Sequence, residues 1–255
     1  MRATAASVRT TRPAVLEWNR FLAHVARGAE DIAAAWTLLH PDEEPAASRP
    51  DLDLLVIRDR ETDETVAVQP CANSLRTGRF SSAGLFHLGE LPVREGVRVE
   101  IGRPWLRHGW RNTQSLNALA HAVAWYAHRT RARWVFGPVQ VRPEHRLDRI
   151  AFARWLVHRG ARLPELGVRP HPSRTLPGLH GWILRDPLAA GEVARVERNL
   201  PPGLRLVLGL GARVHPFPAA HDDDEIVSYF MLIDRRDTHP SGSHAFDERS
   251  SARRR

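Results

Sequence analysis

The chain contains no lysine: all 37 of its basic residues are arginine. Against 29 acidic residues they leave a formal charge of +8 and a pI near 11.1. A guanidinium stays charged at physiological pH and presents a planar fork that fits carboxylates and phosphates. The surface therefore suits acidic partners such as carrier proteins, nucleotides or anionic lipids. A G+C-rich genome would also favour arginine, so the net charge is more telling than the residue choice. Cysteine is nearly absent as well. The single Cys71 excludes an internal disulfide framework and any multi-cysteine metal site, and a reducing cytoplasm is the expected setting. No apolar run approaches the roughly 20 residues that cross a bilayer, and the opening MRATAASVRTTRP lacks the apolar stretch of a secretory signal. These absences lead us to expect a cytoplasmic protein, with contact at the inner face of the membrane limited to peripheral association.

With 42% hydrophobic residues over 255 positions, the chain can bury a sizeable core. We expect one domain over residues 13–237, between disordered tails at 1–12 and 238–255. From Pro13 to Leu39, apolar residues at helical spacing, interrupted at Gly28, predict two helices. LDLLVIRD and TVAVQP flank the polar ETDE and predict a β-hairpin. GLFHLGEL and VRVEIGRPWL alternate in the β manner. Ser115 to Arg129 carries a helical apolar stripe, and RWVFGPVQV follows as a strand. Helices are also predicted over Leu147 to Arg159 and Leu188 to Asn199, and a strand over Leu176 to Leu184. RLVLGLGARVHPF then leads through an acidic loop to IVSYFMLID, the most strand-like run of all. The order describes an α/β (α+β) sandwich around one mixed sheet, with a right-handed strand-helix-strand unit between Val99 and Val139.

Four blocks in this order carry a resemblance: DLDLLVIRDRETDETVAV, VEIGRPWLRHGWRN, ARWVFGPVQV, and LPPGLRLVLGLGARVHPFPAAHDDDEIVSYFMLID. Together they resemble the GNAT-type N-acyltransferases of the hemolysin-like branch. That branch includes ornithine-acyl carrier protein N-acyltransferases and is similar in fold to acyl-homoserine-lactone synthases. The resemblance runs from about Asp51 to Asp237. It implies a GNAT-like central sheet splayed between the Glu100 and Val135 strands. It also implies transfer of a fatty acyl or 3-hydroxyacyl group from acyl carrier protein to a small amine, such as ornithine destined for a lipid. No cofactor is bound permanently in that scheme. The acyl-phosphopantetheine of the carrier, or acyl-CoA, is a co-substrate.

The resemblance also assigns roles. Glu100 is the candidate base for the ammonium proton, directly or through a water. Arg103 orients that carboxylate or clamps an acceptor carboxylate. Arg107, His108, Arg111 and Asn112 lie where strand turns into helix, a natural anion site for a phosphopantetheine phosphate or an acidic carrier helix. The turn Trp110 to Ser115 lacks the glycines common in acetyl-CoA users, which favours a carrier-protein donor. Structural alternatives stand beside each assignment: Glu100 paired with Arg103 within a strand, and a solvated basic turn.

The chain departs from the family pattern in three places. Pro104-Trp105 replaces Ser-Cys after Arg103, and proline cannot donate to an oxyanion, so Trp105 or Arg103 would supply that N–H. Leu85-Phe86-His87-Leu88 replaces an acidic Glu-Phe-Asp-Leu pattern. An Arg-Tyr-Arg element is missing between Ala33 and Glu44. A catalytically degenerate relative that binds carrier protein is therefore one alternative function, and an Arg-rich nucleic-acid-binding protein is another. No nucleic-acid motif is present, and acidic clusters dilute the basic field. No metal site is expected. His121 and His128 lack carboxylate or cysteine neighbours at ligand spacing, and the His221 to Glu225 cluster reads as a solvated loop.

Overall fold

The computed structural model describes residues 15–39, 51–142, 147–163, 166–176, 188–222 and 226–236. The expected tails and most of the Leu176–Leu184 strand lie outside these residues.

The first element corrects the sequence reading. β1 (Val15–Trp18) and β2 (Phe21–Val25) form a hairpin where a helix is predicted. Short apolar runs satisfy the helical and the strand period at once, so spacing alone does not separate them. The local decision comes from Asn19, whose φ of 52° makes the two-residue turn that brings Trp18 opposite Phe21. The tertiary decision comes from β3, which pairs with β2. α1 (Ala29–Leu39) is the helix expected after the Gly28 break.

β3 (Leu52–Asp59) and β4 (Thr65–Asn73) are the predicted hairpin. β5 (Phe86–His87) is brief. β6 (Val97–Ile101) and β7 (Trp105–Leu106) divide the expected VRVEIGRPWL strand at Gly102–Pro104. α2 (Thr113–Arg129), β8 (Ala132–Val141) and α3 (Arg149–His158) follow the prediction. β9 (Arg169–Pro170) pairs with β5 apart from the main sheet. α4 (Ala190–Asn199) is followed by α5 (Pro202–Gly209), a helix that Gly203 and Gly209 obscure in the sequence. β10 (Arg213–Val214), β11 (Ala219–Ala220) and β12 (Val227–Asp234) close the chain's described part.

The main sheet runs β1-β2-β3-β4-β6-β8-β12-β10, with β7 beside β4 and β11 beside β12. Every pairing in it is antiparallel except β6 with β8, whose parallel register requires a crossover. α2 is that crossover. The fold class is the mixed α/β sheet flanked by helices that the sequence leads one to expect.

Strand alternation divides the core between the two faces. Val99, Val135, Tyr229 and Met231 join Leu119, Ala122 and Tyr126 of α2 on one face. Phe136 and Phe230 face the other way, where Phe80, Phe86, Leu91 and Leu166 cover them, and Trp36 of α1 covers Leu54 and Val56 beside them. β12 is buried on both faces from Val227 to Ile233, which explains its unbroken apolar run. Among the described residues no helix is long and apolar enough to cross a membrane.

Candidate active site at a fork in the sheet

β6 and β8 pair in parallel from Val97↔Ala132 to Glu100↔Phe136, where their named pairing ends. β8 continues to Val141, held by β12 from Trp134 onward. Its former neighbour leaves at Gly102 and resumes as β7 against β4, with Val68 opposite Trp105 and Ala67 opposite Leu106. Residues 137–141 of β8 thus have no strand partner on that edge among the described residues.

Local chemistry sets the fork. The Gly102 N–H donates to the Pro70 carbonyl at 2.9 Å. The buried Gln69 amide donates from Nε2 to the carbonyls of Pro70 and Gly102, at 3.0 and 2.8 Å. Pro104 follows with no N–H to return to a ladder. Across the fork, a Cβ on Gly137 would stand 2.2 Å from the Ile101 carbonyl oxygen. Only glycine permits that approach.

Glu100 is the last paired residue before the strands part, and it is 2% exposed. Val99 faces α2, so Glu100 faces the opposite side of the sheet. Its Oε2 accepts from the Ser81 N–H at 2.7 Å, and its Oε1 accepts from the Ser82 N–H at 2.6 Å and from the Ser82 hydroxyl. Backbone and hydroxyl donors of the short 3-10 turn Ser81–Gly84 therefore satisfy the charge. These serines, rather than Arg103, orient the carboxylate. Arg103 is exposed in the break between β6 and β7.

The remaining sequence candidates divide between the mouth of the fork and its frame. Asn112 caps α2, its Oδ1 accepting from the Ser115 N–H at 3.0 Å and from the Ser115 hydroxyl at 3.2 Å. Arg107 is drawn toward the β3–β4 turn, donating from Nε to the Thr65 carbonyl at 3.0 Å with Glu64 3.8 Å away. His108 and Arg111 are exposed beside the helix start. Trp105 packs with Trp36, Leu54 and Val56 under α1, on the Glu100 face.

The sequence reading missed the groups that hold these elements. Ser81 and Ser82 precede Ala-Gly in a loop, a weak turn signal that does not announce a bond to a residue 18 positions on. Arg20 forks onto Asp59 from the β1–β2 turn, Nε to Oδ1 at 2.9 Å and Nη2 to Oδ2 at 2.6 Å. Its guanidinium also lies 5.0 Å from the Trp110 ring centre, which ties the hairpin to the start of α2. The Arg20 hydrogen bonds hold the Asp59 carboxyl down at about 2, against an ordinary 3.8.

A second polar group lies on the Glu100 face. His171 Nε2 is 2.7 Å from the Ala83 carbonyl, and its Nδ1 is 3.0 Å from His87 Nε2. A carbonyl only accepts, so His171 carries a proton on Nε2, and between neutral rings His87 is then the donor, from Nε2 to His171 Nδ1. Desolvation, His171 and Arg169 lower the His87 pKa. Cys71 is buried on β4 opposite Ile101, the last residue of β6. Burial first, then the charges of Asp53 and Glu100, push its thiol well above the ordinary range, so it is a packing residue and not a nucleophile. His121 stacks on Trp18 with ring centres 4.5 Å apart. Asp222 pairs with Arg174, and 223–225 of the acidic loop lie outside the described residues. Among those described, no group of three His, Cys, Asp or Glu side chains could hold a metal ion.

No family model matches the chain, and no curated protein matches its sequence. Solved structures that resemble parts of it include two acyl-group transfer proteins. One is FeeM, an N-acyl amino acid synthase from uncultured soil microbes, at 15% identity and a TM-score of 0.36, covering 50% of this chain and 74% of that one. The other is the ribosomal-protein-S5-alanine acetyltransferase from Vibrio fischeri, at 8% identity and a TM-score of 0.33, covering 49% and 73%.

Proposed function

We propose that the protein is an N-acyltransferase that moves an acyl group from a thioester to an amine. The observation that supports this most directly is the fork. A strand edge left open from Gly137 to Val141 offers backbone hydrogen-bonding groups to an extended, amide-bearing arm such as phosphopantetheine. The start of α2, with exposed His108 and Arg111, stands ready for the phosphate or for an acidic carrier protein.

The amine would approach from the Glu100 face while the thioester lies between the strands. Its nitrogen attacks the carbonyl carbon, forming the C–N bond. Collapse of the tetrahedral intermediate breaks the C–S bond, and the sulfur leaves to become the free thiol. The nitrogen of the tetrahedral intermediate gives its ammonium proton to Glu100, directly or through a water, and that proton passes on to the leaving sulfur. Oε2, with one donor from Ser81, keeps a lone pair for the proton. Because the thioester is already activated, positioning and a fixed N–H for the oxyanion carry the rest, and Arg103 or Trp105 would provide that donor.

The favoured donor is acyl carrier protein and the favoured acceptor a small amine, an amino acid such as ornithine, with peripheral membrane contact if the product is a lipid. Incubating the protein with acylated carrier proteins and a panel of amino acids, and reading the products by mass spectrometry, tests this. Thiol release that is identical with and without every amine would remove the transferase reading. One observation favours a second reading, carrier binding without chemistry: the donors already placed on Glu100. Under it, carrier binding survives Glu100→Gln and no amide product forms with either protein.

A further inference from the structure

The far end of the sheet holds a second cleft that acyl transfer does not use. Its volume is about 420 Å³, and it is lined by Glu95, Gly96, Arg131, Arg133, Arg235 and Arg236, together with Ala132. β8 begins at this cleft and reaches the fork five residues later, roughly 17 Å away at strand rise. A small ligand at the fork does not reach it.

The lining is built around guanidinium groups. Arg235 is structural, its Nη1 donating to the carbonyls of Ala127 and Ala132, at 3.1 and 2.9 Å, where α2 ends and β8 begins. Arg133 stands on Gly96: a Cβ there, at a φ of 99°, would lie 3.0 Å from the Arg133 Cβ. The Arg133 head reaches Asp234 from Nη2 at 3.3 Å, while its Nε is buried without a hydrogen-bond partner among the described residues. Arg131 is held in the left-handed region at a φ of 52°, which favours glycine or asparagine over arginine. Arg131 and Arg236 are exposed at the rim. Glu95 and Asp234 are the nearby acids, and Asp234 is occupied by Arg133 and by the Arg236 N–H at 3.0 Å.

We infer that this cleft binds a phosphate-bearing anion, most suitably a terminal phosphomonoester. Exposed planar forks from Arg131 and Arg236 match the bidentate geometry of phosphate oxygens, while Arg133, paired with Asp234 and stacked 4.4 Å from the Trp134 ring centre, forms the wall between them. A volume of about 420 Å³ suits one headgroup or a small phosphorylated molecule. A free phosphate compound and a lipid headgroup share this chemistry, and the test separates them.

The probes are sodium pyrophosphate, followed by calorimetry, and phosphatidylcholine vesicles with and without phosphatidate, followed by co-sedimentation. The variant is Arg131→Asn with Arg236→Gln. It removes two rim forks, keeps a residue at 131 that tolerates the left-handed backbone, and should leave the melting temperature unchanged. The control is Arg195→Gln with Arg198→Gln, equal charge removed from exposed positions of α4. We expect pyrophosphate binding that weakens about tenfold in the rim variant, and not in the control. Binding to phosphatidate vesicles with the same dependence on the rim assigns a lipid headgroup, and pyrophosphate binding alone assigns a soluble ligand. If pyrophosphate does not bind, or if both variants weaken it equally, the inference is overturned. Neither outcome bears on acyl transfer at the fork, which is read separately by product formation.

Discussion

Asp59 and Glu100 are both buried carboxylates that join distant parts of the sheet, yet they are held by opposite means. Asp59, 0% exposed, is gripped by the forked Arg20 guanidinium, with support from the Thr62 hydroxyl and the Glu61 N–H. A cation beside it makes it a lasting anion. Glu100 receives only neutral donors, from Ser81 and Ser82, and the described salt bridges include none to it. Permanent charge suits a structural joint. A carboxylate solvated by neutral dipoles can take up a proton without breaking an ion pair, which suits an acid or base. The contrast sets an ion-paired framework carboxylate at one end of the strands against one that fits the chemistry proposed at the fork.

The largest effect should come from removing the charge at the fork. Glu100→Gln should cut amide formation about 100- to 10,000-fold if the carboxylate is the base. It should also cost about 1–3 kcal/mol of stability, because an amide cannot accept from all three donors with both of its heteroatoms. Product yield and melting temperature read the two effects separately, and turnover equal to that of the unmodified protein would make Glu100 a second structural joint. Next is the fork's shape. Gly137→Ala places a methyl group against the Ile101 carbonyl and should cost roughly 2–3 kcal/mol while lowering turnover, since the strands must separate differently. Denaturant titration and product yield check this, and an unchanged protein would show that the close approach is not needed.

Ser82→Ala removes one donor and leaves both N–H groups on Glu100 in place, so it should cost ~2 kcal/mol. It should also lower turnover, because the carboxylate loses one of the groups that orient it. A stability loss with unchanged turnover would separate the serine from the chemistry. The smallest effect at neutral pH belongs to the framework. Asp59→Asn should lower the melting temperature by stranding Arg20, with turnover unaffected at temperatures where the protein is folded. In the unmodified protein the Asp59 carboxyl titrates at about 2 when folded and near 3.8 otherwise. The unfolded chain therefore binds more protons between those values. The stabilisation is complete above about 3.8 and is lost as the pH falls toward about 2. Acid unfolding of Asp59→Asn should lack this component, and equal acid sensitivity of the two proteins would contradict the assignment.

Much of the frame can be read from residue patterns. The hairpin of LDLLVIRD and TVAVQP, the α2 stripe, and the unbroken apolar run of β12 each state their element through local periodicity and burial. At the fork, VRVEIGRPWL reads as one strand and Asn112 as an anion ligand, whereas the structure divides the strand at Gly102–Pro104 and makes Asn112 the cap of α2. The reading failed where one stretch served two periods, at Val15 to Val25, and where glycines hid a helix, at α5. It also missed the partners of Glu100, since nothing near Ser81 and Ser82 in the chain indicates which strand they will meet.

The sequence by itself determined the mixed strand and helix order, the two-sided burial of β12 and the basic charge, because these follow from side-chain periodicity and composition. Tertiary structure decided that β7 would leave β8 for β4, that two serines would hold Glu100, and that Arg20 would find Asp59. Those outcomes rest on contacts between residues far apart in the chain. Each forms only once the sheet register has brought its two ends together.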